Sequence, residues 1–208
     1  MATIVTLEKA VKLLMTEGII VLPTDTVCGV SASLGCPEAI RKLYRIKERP
    51  LDQATALLIG SIKDIPALSP VTFSTEIKCL LDRCWPGGLT IIVPRRFDSL
   101  YDQGLDLVCD GAANVGLRIP DHPVTLEVIR ALGSPLVASS ANLRGKPAPG
   151  STAELEPELK YLADGIIEGT CSAGVSSTVI DLTASPVKIL REGFLTRSML
   201  RKYLPDLA

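Results

Sequence analysis

Pro23-Thr24-Asp25-Thr26-Val27-Cys28-Gly29 follows directly on the apolar run Ile19-Ile20-Val21-Leu22. A short aliphatic run that stops at proline and empties into hydroxyls, a carboxylate and glycine reads as a buried strand ending in a polar loop. In open α/β sheets ligands sit outside the carboxyl ends of strands. The plainer reading is a turn in which Thr24 and Asp25 bond nearby backbone, Pro23 ends the strand and Gly29 takes a positive φ. Three other strand-like runs end in comparable polar stretches: Lys47-Glu48-Arg49, Arg118-Ile119-Pro120 and Ser139-Ser140-Ala141-Asn142. Their recurrence favours a site gathered from strand ends.

Outward from that stretch, helical and strand patterns alternate. Thr6 is placed to cap a helix with Leu7, Ala10, Val11 and Leu14 on one face, and Gly18 to end it. A second helix starts at Pro37, turns Ala39, Ile40, Leu43 and Tyr44 inward, and runs out near Lys47. Residues 54–59 read as a strand, 73–84 as a helix stopped by Trp85-Pro86-Gly87-Gly88, and 89–93 as a strand. The polar, Asp-rich stretch 95–113 reads as a surface excursion. Then come a strand at 115–119, a helix at 124–132 closed by Gly133, and a strand at 136–138. The Pro/Gly-rich connector 145–150 is compatible with a lid or with a stiff loop. A helix at 157–163, strands at 165–167, 178–182 and 187–190, and a last helix at 197–204 complete the chain. The pattern predicts an α/β fold: a single-domain twisted mixed sheet with flanking helices, spanning 1–208, with a C-terminal helical part at 196–208.

With 208 residues and 47% hydrophobic content, the chain can bury one sizeable core. A formal net charge of −1 provides no global basic signature, so any nucleic-acid contact would need a local patch. The six cysteines, at 28, 36, 79, 84, 109 and 171, form no C-x-x-C pair. They read as reduced, core-packing thiols of a soluble, cytoplasmic protein, since no signal peptide opens the chain and no apolar run approaches the roughly 20 residues that span a bilayer.

Neither G-x-x-x-x-G-K-[ST] nor G-x-G-x-x-G occurs, no metal-ligand spacing is seen, and Ser139 and Ser140 lack a G-x-S-x-G setting. His122, the only histidine, precedes a helix and reads as a capping or supporting group. What remains is a set of cations and hydroxyls at strand ends: Lys47, Arg49, Arg118 and Arg191 with Thr24, Thr26, Ser140, Asn142, Ser177 and Thr178. Arginine offers a planar fork for carboxylate or phosphate, and lysine a mobile point charge. Such a set suits phosphoryl or nucleotidyl transfer, in which positioning and charge stabilisation do the catalysis. For any single arginine a solvated surface charge is the favoured reading; for four cations at loops beside Ser and Thr clusters that reading is weaker.

Pro23-Thr24-Asp25-Thr26-Val27, Lys47-Glu48-Arg49-Pro50, Trp85-Pro86-Gly87-Gly88-Leu89-Thr90, Val115-Gly116-Leu117-Arg118-Ile119-Pro120-Asp121-His122, Ser140-Ala141-Asn142-Leu143, Ser177-Thr178-Val179-Ile180-Asp181 and Ile189-Leu190-Arg191 resemble, in order, the motifs of the YrdC-like threonylcarbamoyl-AMP synthases. The resemblance runs from about residue 6 to 195. It implies a YrdC-like core over about 6–195, a twisted mixed sheet with a concave, positively charged cavity, and an activity that joins L-threonine, bicarbonate and ATP, with Mg²⁺, into threonylcarbamoyl-AMP and pyrophosphate. A separate transfer complex then modifies adenosine 37 of certain tRNAs, and direct contact with tRNA or double-stranded RNA is a further implied partner. Thr26, Arg118, Ala138 and Ser177 would hold threonine. Lys47, Arg49, Asn114, Ser140, Asn142 and Arg191 would hold ATP, with Lys47 and Arg49 as the catalytic cations.

The chain departs from the family pattern at several positions. Cys28 stands where tyrosine is frequent, Gln53 and Ala54 where a polar residue and proline are, and Leu58 where some longer members carry histidine. Ala148 replaces a serine, and Ser176 an acidic residue or glycine. Two rival readings use the same residues: an RNA-binding module of this fold without chemistry, and a paralogue acting on another carbamate.

Overall fold

The computed structural model describes residues 3–48, 55–109 and 112–208. Ten strands form one mixed sheet: β1 (Thr3–Ile4), β2 (Ile20–Leu22), β3 (Gly29–Ser33), β4 (Leu57–Leu58), β5 (Leu89–Pro94), β6 (Asn114–Arg118), β7 (Leu136–Ser140), β8 (Gly165–Ile166), β9 (Thr178–Asp181) and β10 (Lys188–Arg191). Their order across the sheet is β1-β8-β2-β3-β7-β4-β6-β5-β9-β10. Neighbours in sequence are therefore often separated in space, and the fold relies on pairings such as β3 with β7 and β4 with both β6 and β7.

Helices clothe the sheet because each carries one apolar stripe. The Thr6 hydroxyl accepts from the Lys9 amide and starts α1 (Leu7–Leu14), whose Ala10, Val11 and Leu14 are buried. Pro37 opens α2 (Pro37–Ile46), and Ser74 caps α3 (Thr75–Cys84). Between β5 and β6 lies α4 (Asp102–Cys109); α5 (Pro123–Leu132) ends at Gly133, whose φ of 66° is the left-handed cap that glycine adopts without penalty. Short helices α6 (Pro157–Leu162) and α7 (Arg197–Leu200) follow.

Residue alternation along the strands divides the core in two. Ile20, Leu22, Leu58 and Leu136 pack with α1 and α5 on one face. Val21, Val30, Leu57, Ile91, Leu117 and Val137 pack with α2, α3 and α4 on the other. No helix among the described residues is long and apolar enough to cross a membrane.

Three sequence expectations change. Residues 29–33 were left without a strand, yet they form β3, antiparallel to both β2 and β7, so Pro23–Cys28 is a hairpin connection. The Gly-Val-Ser-Ala-Ser run has no aliphatic signature, but every one of its residues is buried. Gly29 is accordingly paired in extended backbone and is not among the positive-φ glycines. The supposed excursion contains α4, which buries Leu105, Val108 and Cys109 at helical spacing; Gly104 lies so close to Leu34 that a Cβ there would sit 2.2 Å from its carbonyl oxygen. The last helix stops at Leu200 instead of Leu204. Pro205 disfavours helical backbone at the residue before it, and the tail turns back so that Ala208 exchanges hydrogen bonds with Val187 and Ile189.

Candidate functional site

The half of the α1/α5 face that those helices leave uncovered is a cavity of about 260 Å³. Its floor follows the two-residue period of the strands: Thr90 and Ile92 from β5, Gly116 and Arg118 from β6, Ala138 and Ser140 from β7, and Val179 with the preceding Ser177 at β9. Thr24, Thr26, Val27 and Cys28 of the β2–β3 connection form one wall, and Ser176 with Arg191 of β10 another. The site thus lies on a sheet face as well as at strand ends.

Asp25 organises that wall in a way the sequence concealed. The expected turn exists for Thr24, whose hydroxyl donates to the Val27 carbonyl at 2.8 Å and accepts from the Thr26 amide at 3.1 Å. The Asp25 carboxylate instead reaches Arg118, accepting from Nη2 at 2.6 Å and from the Asp121 amide at 3.0 Å through the same oxygen. Both partners are buried, Asp25 at 8% and Arg118 at 6% exposure. Arg118 also donates from Nε to the Gly87 carbonyl at 3.0 Å. Desolvation draws the Arg118 pKa down, and the Asp25 carboxylate opposes that pull. Two of the guanidinium nitrogens are held by protein, which leaves Nη1 and the second Nη2 hydrogen as donors toward the cavity.

A second constellation closes the rim. Lys47, expected at a strand end, instead caps the end of helix α2, and it donates from Nζ to the Ser140 carbonyl at 2.7 Å, to the Asn142 carbonyl, and to Asn142 Oδ1 at 3.3 Å. The Ser140 hydroxyl donates to the same Oδ1, and Asn142 Nδ2 donates to the Leu143 and Lys146 carbonyls. Opposite, Arg191 grips the Ser177 carbonyl from Nε and Nη2, at 3.1 and 2.9 Å, and the Ser177 hydroxyl lies 2.8 Å from that of Thr90.

Thr26, Arg118, Ala138, Ser140, Ser177 and Arg191 therefore line one cavity, with Lys47 and Asn142 bonded to its Ser140 edge. Arg49, Gln53 and Ala54 lie outside the described residues. Asn114 is not brought to the cavity lining. It begins β6 four residues before Arg118, about 13 Å away at the usual rise of a strand, and its Nδ2 contacts Thr183 Oγ1 at 3.5 Å. Thr90 and Gly116 went unassigned in sequence, although alternation along β5 and β6 would have selected them. The lining contains Arg118 and Arg191 but no carboxylate, and among the described residues no cluster of three or more His, Cys, Asp or Glu could hold a metal. The two guanidinium groups suit the cavity to anions.

Fold and site together define a mixed α/β protein with a hydroxyl-lined, guanidinium-bearing anion cavity. Comparison with known proteins narrows this class. The Sua5/YciO/YrdC family model, described as telomere recombination, matches residues 12–193, and the chain belongs to this family. The chain is 36% identical over 197 residues to a threonylcarbamoyl-AMP synthase of Bacillus subtilis, covering 93% of this chain and 55% of that protein. To the Vibrio campbellii threonylcarbamoyl-AMP synthase it is 31% identical over 188 residues, covering 89% and 98%. The crystal structure of Pyrococcus abyssi Sua5 complexed with L-threonine superposes with a TM-score of 0.89 at 29% identity, covering 97% of this chain and 58% of that one. The chain thus spans little more than half the length of the Bacillus and Pyrococcus proteins.

Proposed function

We propose that this protein synthesises threonylcarbamoyl-AMP from L-threonine, bicarbonate and ATP, releasing pyrophosphate, and that the product passes to a transfer complex that modifies adenosine 37 of tRNA. The observation that carries the reading is the Arg118 guanidinium, clamped on one edge by Asp25 and Gly87 and presenting its remaining donors to a cavity whose described lining residues include no carboxylate. A fork held in this way matches an α-carboxylate in two hydrogen bonds, which a lysine cannot reproduce. The Thr26 and Ser177 hydroxyls and the Ala138 backbone then face the rest of threonine.

In this reading the threonine amine takes up the carbon of bicarbonate to form a carbamate, with loss of water. A carbamate oxygen attacks the α-phosphorus of ATP while pyrophosphate leaves from the opposite side. The protein contributes positioning and positive charge: Lys47, Ser140 and Asn142 at one edge of the cavity and Arg191 at the other are proposed to hold ATP, and Arg49 with them from the sequence pattern. Mg²⁺ is taken to enter with ATP as part of the substrate.

Purified protein given threonine, bicarbonate and Mg-ATP should yield threonylcarbamoyl-AMP by mass spectrometry, with pyrophosphate release that depends on threonine. Arg118→Lys should keep ATP binding while threonine affinity falls by one to two decades, the loss expected from about 1.5–3 kcal/mol of charge-assisted hydrogen bonding. Equal threonine dependence in wild type and variant would remove Arg118 from the site.

A further inference from the structure

Cys28 and Cys171 are 143 residues apart, yet their sulfurs lie 3.4 Å from one another. Both are free thiols. Cys28 is buried, lines the cavity, and is pinned by backbone bonds from its amide to the Pro149 carbonyl and from the Ala141 amide to its own carbonyl. Cys171 is only half-buried and lies on the segment that covers the Asp25 turn: the Ser172 hydroxyl and the Ala173 amide both donate to the Asp25 carbonyl, at 2.9 and 3.0 Å. The pair therefore joins the cavity wall to the segment that holds Asp25, and through Asp25 to Arg118. Cys28 belongs to the larger hydrophobic core and Cys171 packs against it, so packing holds the two thiols in contact where the cavity wall meets a half-buried loop.

We propose that Cys28 and Cys171 are a redox-active dithiol, which a hydroperoxide oxidises to a disulfide that loosens the Asp25 turn and weakens ligand binding in the cavity. The ligand effect rests on the threonine reading above, whereas formation of the bond does not. Cys171 is the group that meets the oxidant. A hydrogen bond from the Cys28 thiol and a backbone amide lower its pKa to about 7, against opposing influences from burial, Asp25 and Glu154, while the same contact and burial raise that of Cys28. The Cys171 thiolate attacks one peroxide oxygen, breaks the O–O bond and becomes a sulfenic acid as the second oxygen leaves as water or alcohol. Cys28 then attacks the sulfenic sulfur, and its proton leaves with the hydroxyl as water. In total two thiols lose two electrons and two protons, and the peroxide is reduced. Closing the bond brings the sulfurs from 3.4 Å to about 2.05 Å. The Cys28 backbone is fixed by two bonds and that of Cys171 by one, from its amide to the Gly150 carbonyl at 2.7 Å, so the larger share of the movement falls on Cys171 and on the hydrogen bonds of Ser172 and Ala173.

The test exposes reduced protein to hydrogen peroxide, blocks residual thiols with iodoacetamide, and maps the peptides by mass spectrometry. The expected product is a Cys28–Cys171 link, formed at lower peroxide than oxidises exposed Cys79 and reversed by dithiothreitol. Hydrogen exchange of the Ala173 amide should accelerate in the linked form, and threonine affinity, read by calorimetry, should fall at least about fivefold, the lower end of typical coupling between sites. Cys171→Ser should bind threonine as the reduced wild type does and ignore peroxide; Cys28→Ala should likewise form no link. No Cys28–Cys171 link at peroxide levels that oxidise Cys79 overturns the proposal, as does unchanged exchange at Ala173 in the linked form. Threonine affinity unaltered by the link also overturns it. If reduced protein binds no threonine, the threonine reading fails, and the link and exchange measurements decide the dithiol alone.

Discussion

Replacing Asp25 with alanine tests the central contact of the site. The Asp25 carboxylate is the ion-pair partner of buried Arg118 and also accepts the Asp121 amide. Its removal strands a guanidinium at 6% exposure with only the Gly87 carbonyl, and leaves a backbone amide unpaired. Breaking a buried ion pair from one side costs about 3–5 kcal/mol, a large part of the 5–15 kcal/mol that holds a typical domain together. Asp25→Asn keeps an oxygen for the two donors and loses only the charge, so its cost should be nearer 1.5–3 kcal/mol. Asp25→Ala combined with Arg118→Met removes both charges, and its cost should fall well below the sum of the single changes. Urea unfolding measures all of these as shifts in midpoint at unchanged slope. A cost below about 1 kcal/mol for Asp25→Ala, the value of a solvated pair, would refute the buried clamp, and so would strict additivity in the double variant.

Gly104→Val should destabilise the protein by roughly 1–3 kcal/mol, seen as a lower urea midpoint, because its Cβ would sit 2.2 Å from the Leu34 carbonyl oxygen; an unchanged midpoint would mean that α4 is not packed there. Lys47→Met should lower ATP affinity by about tenfold or more in a calorimetric titration, since Nζ ties the Ser140 and Asn142 carbonyls together at the cavity edge. Iodoacetamide labelling of Cys171 should rise with pH through a midpoint near 7, because the thiolate is the reactive form and is lost below that pH; a midpoint near the ordinary 8.5 would deny the thiolate its hydrogen bond from Cys28.

Where local chemistry decides, the sequence was sufficient. Thr6 as a cap, Pro37 at a helix start, Gly133 as a left-handed stop and the aliphatic strand before Pro23 each express a preference that acts within a few residues. The ordered motifs likewise contain Thr26, Arg118, Ser140, Ser177 and Arg191, which all line the cavity. Local rules misled at β3, whose small residues are buried by neighbours from β2 and β7, and at α4, whose internal glycine fits against Leu34. Long-range pairings were beyond their reach altogether. Asp25 holds Arg118 across 93 residues, Lys47 holds Ser140 across 93, and Cys28 meets Cys171 across 143. The order of the ten strands brings each pair together, because side-chain direction follows the two-residue period only once neighbouring strands and their register are set.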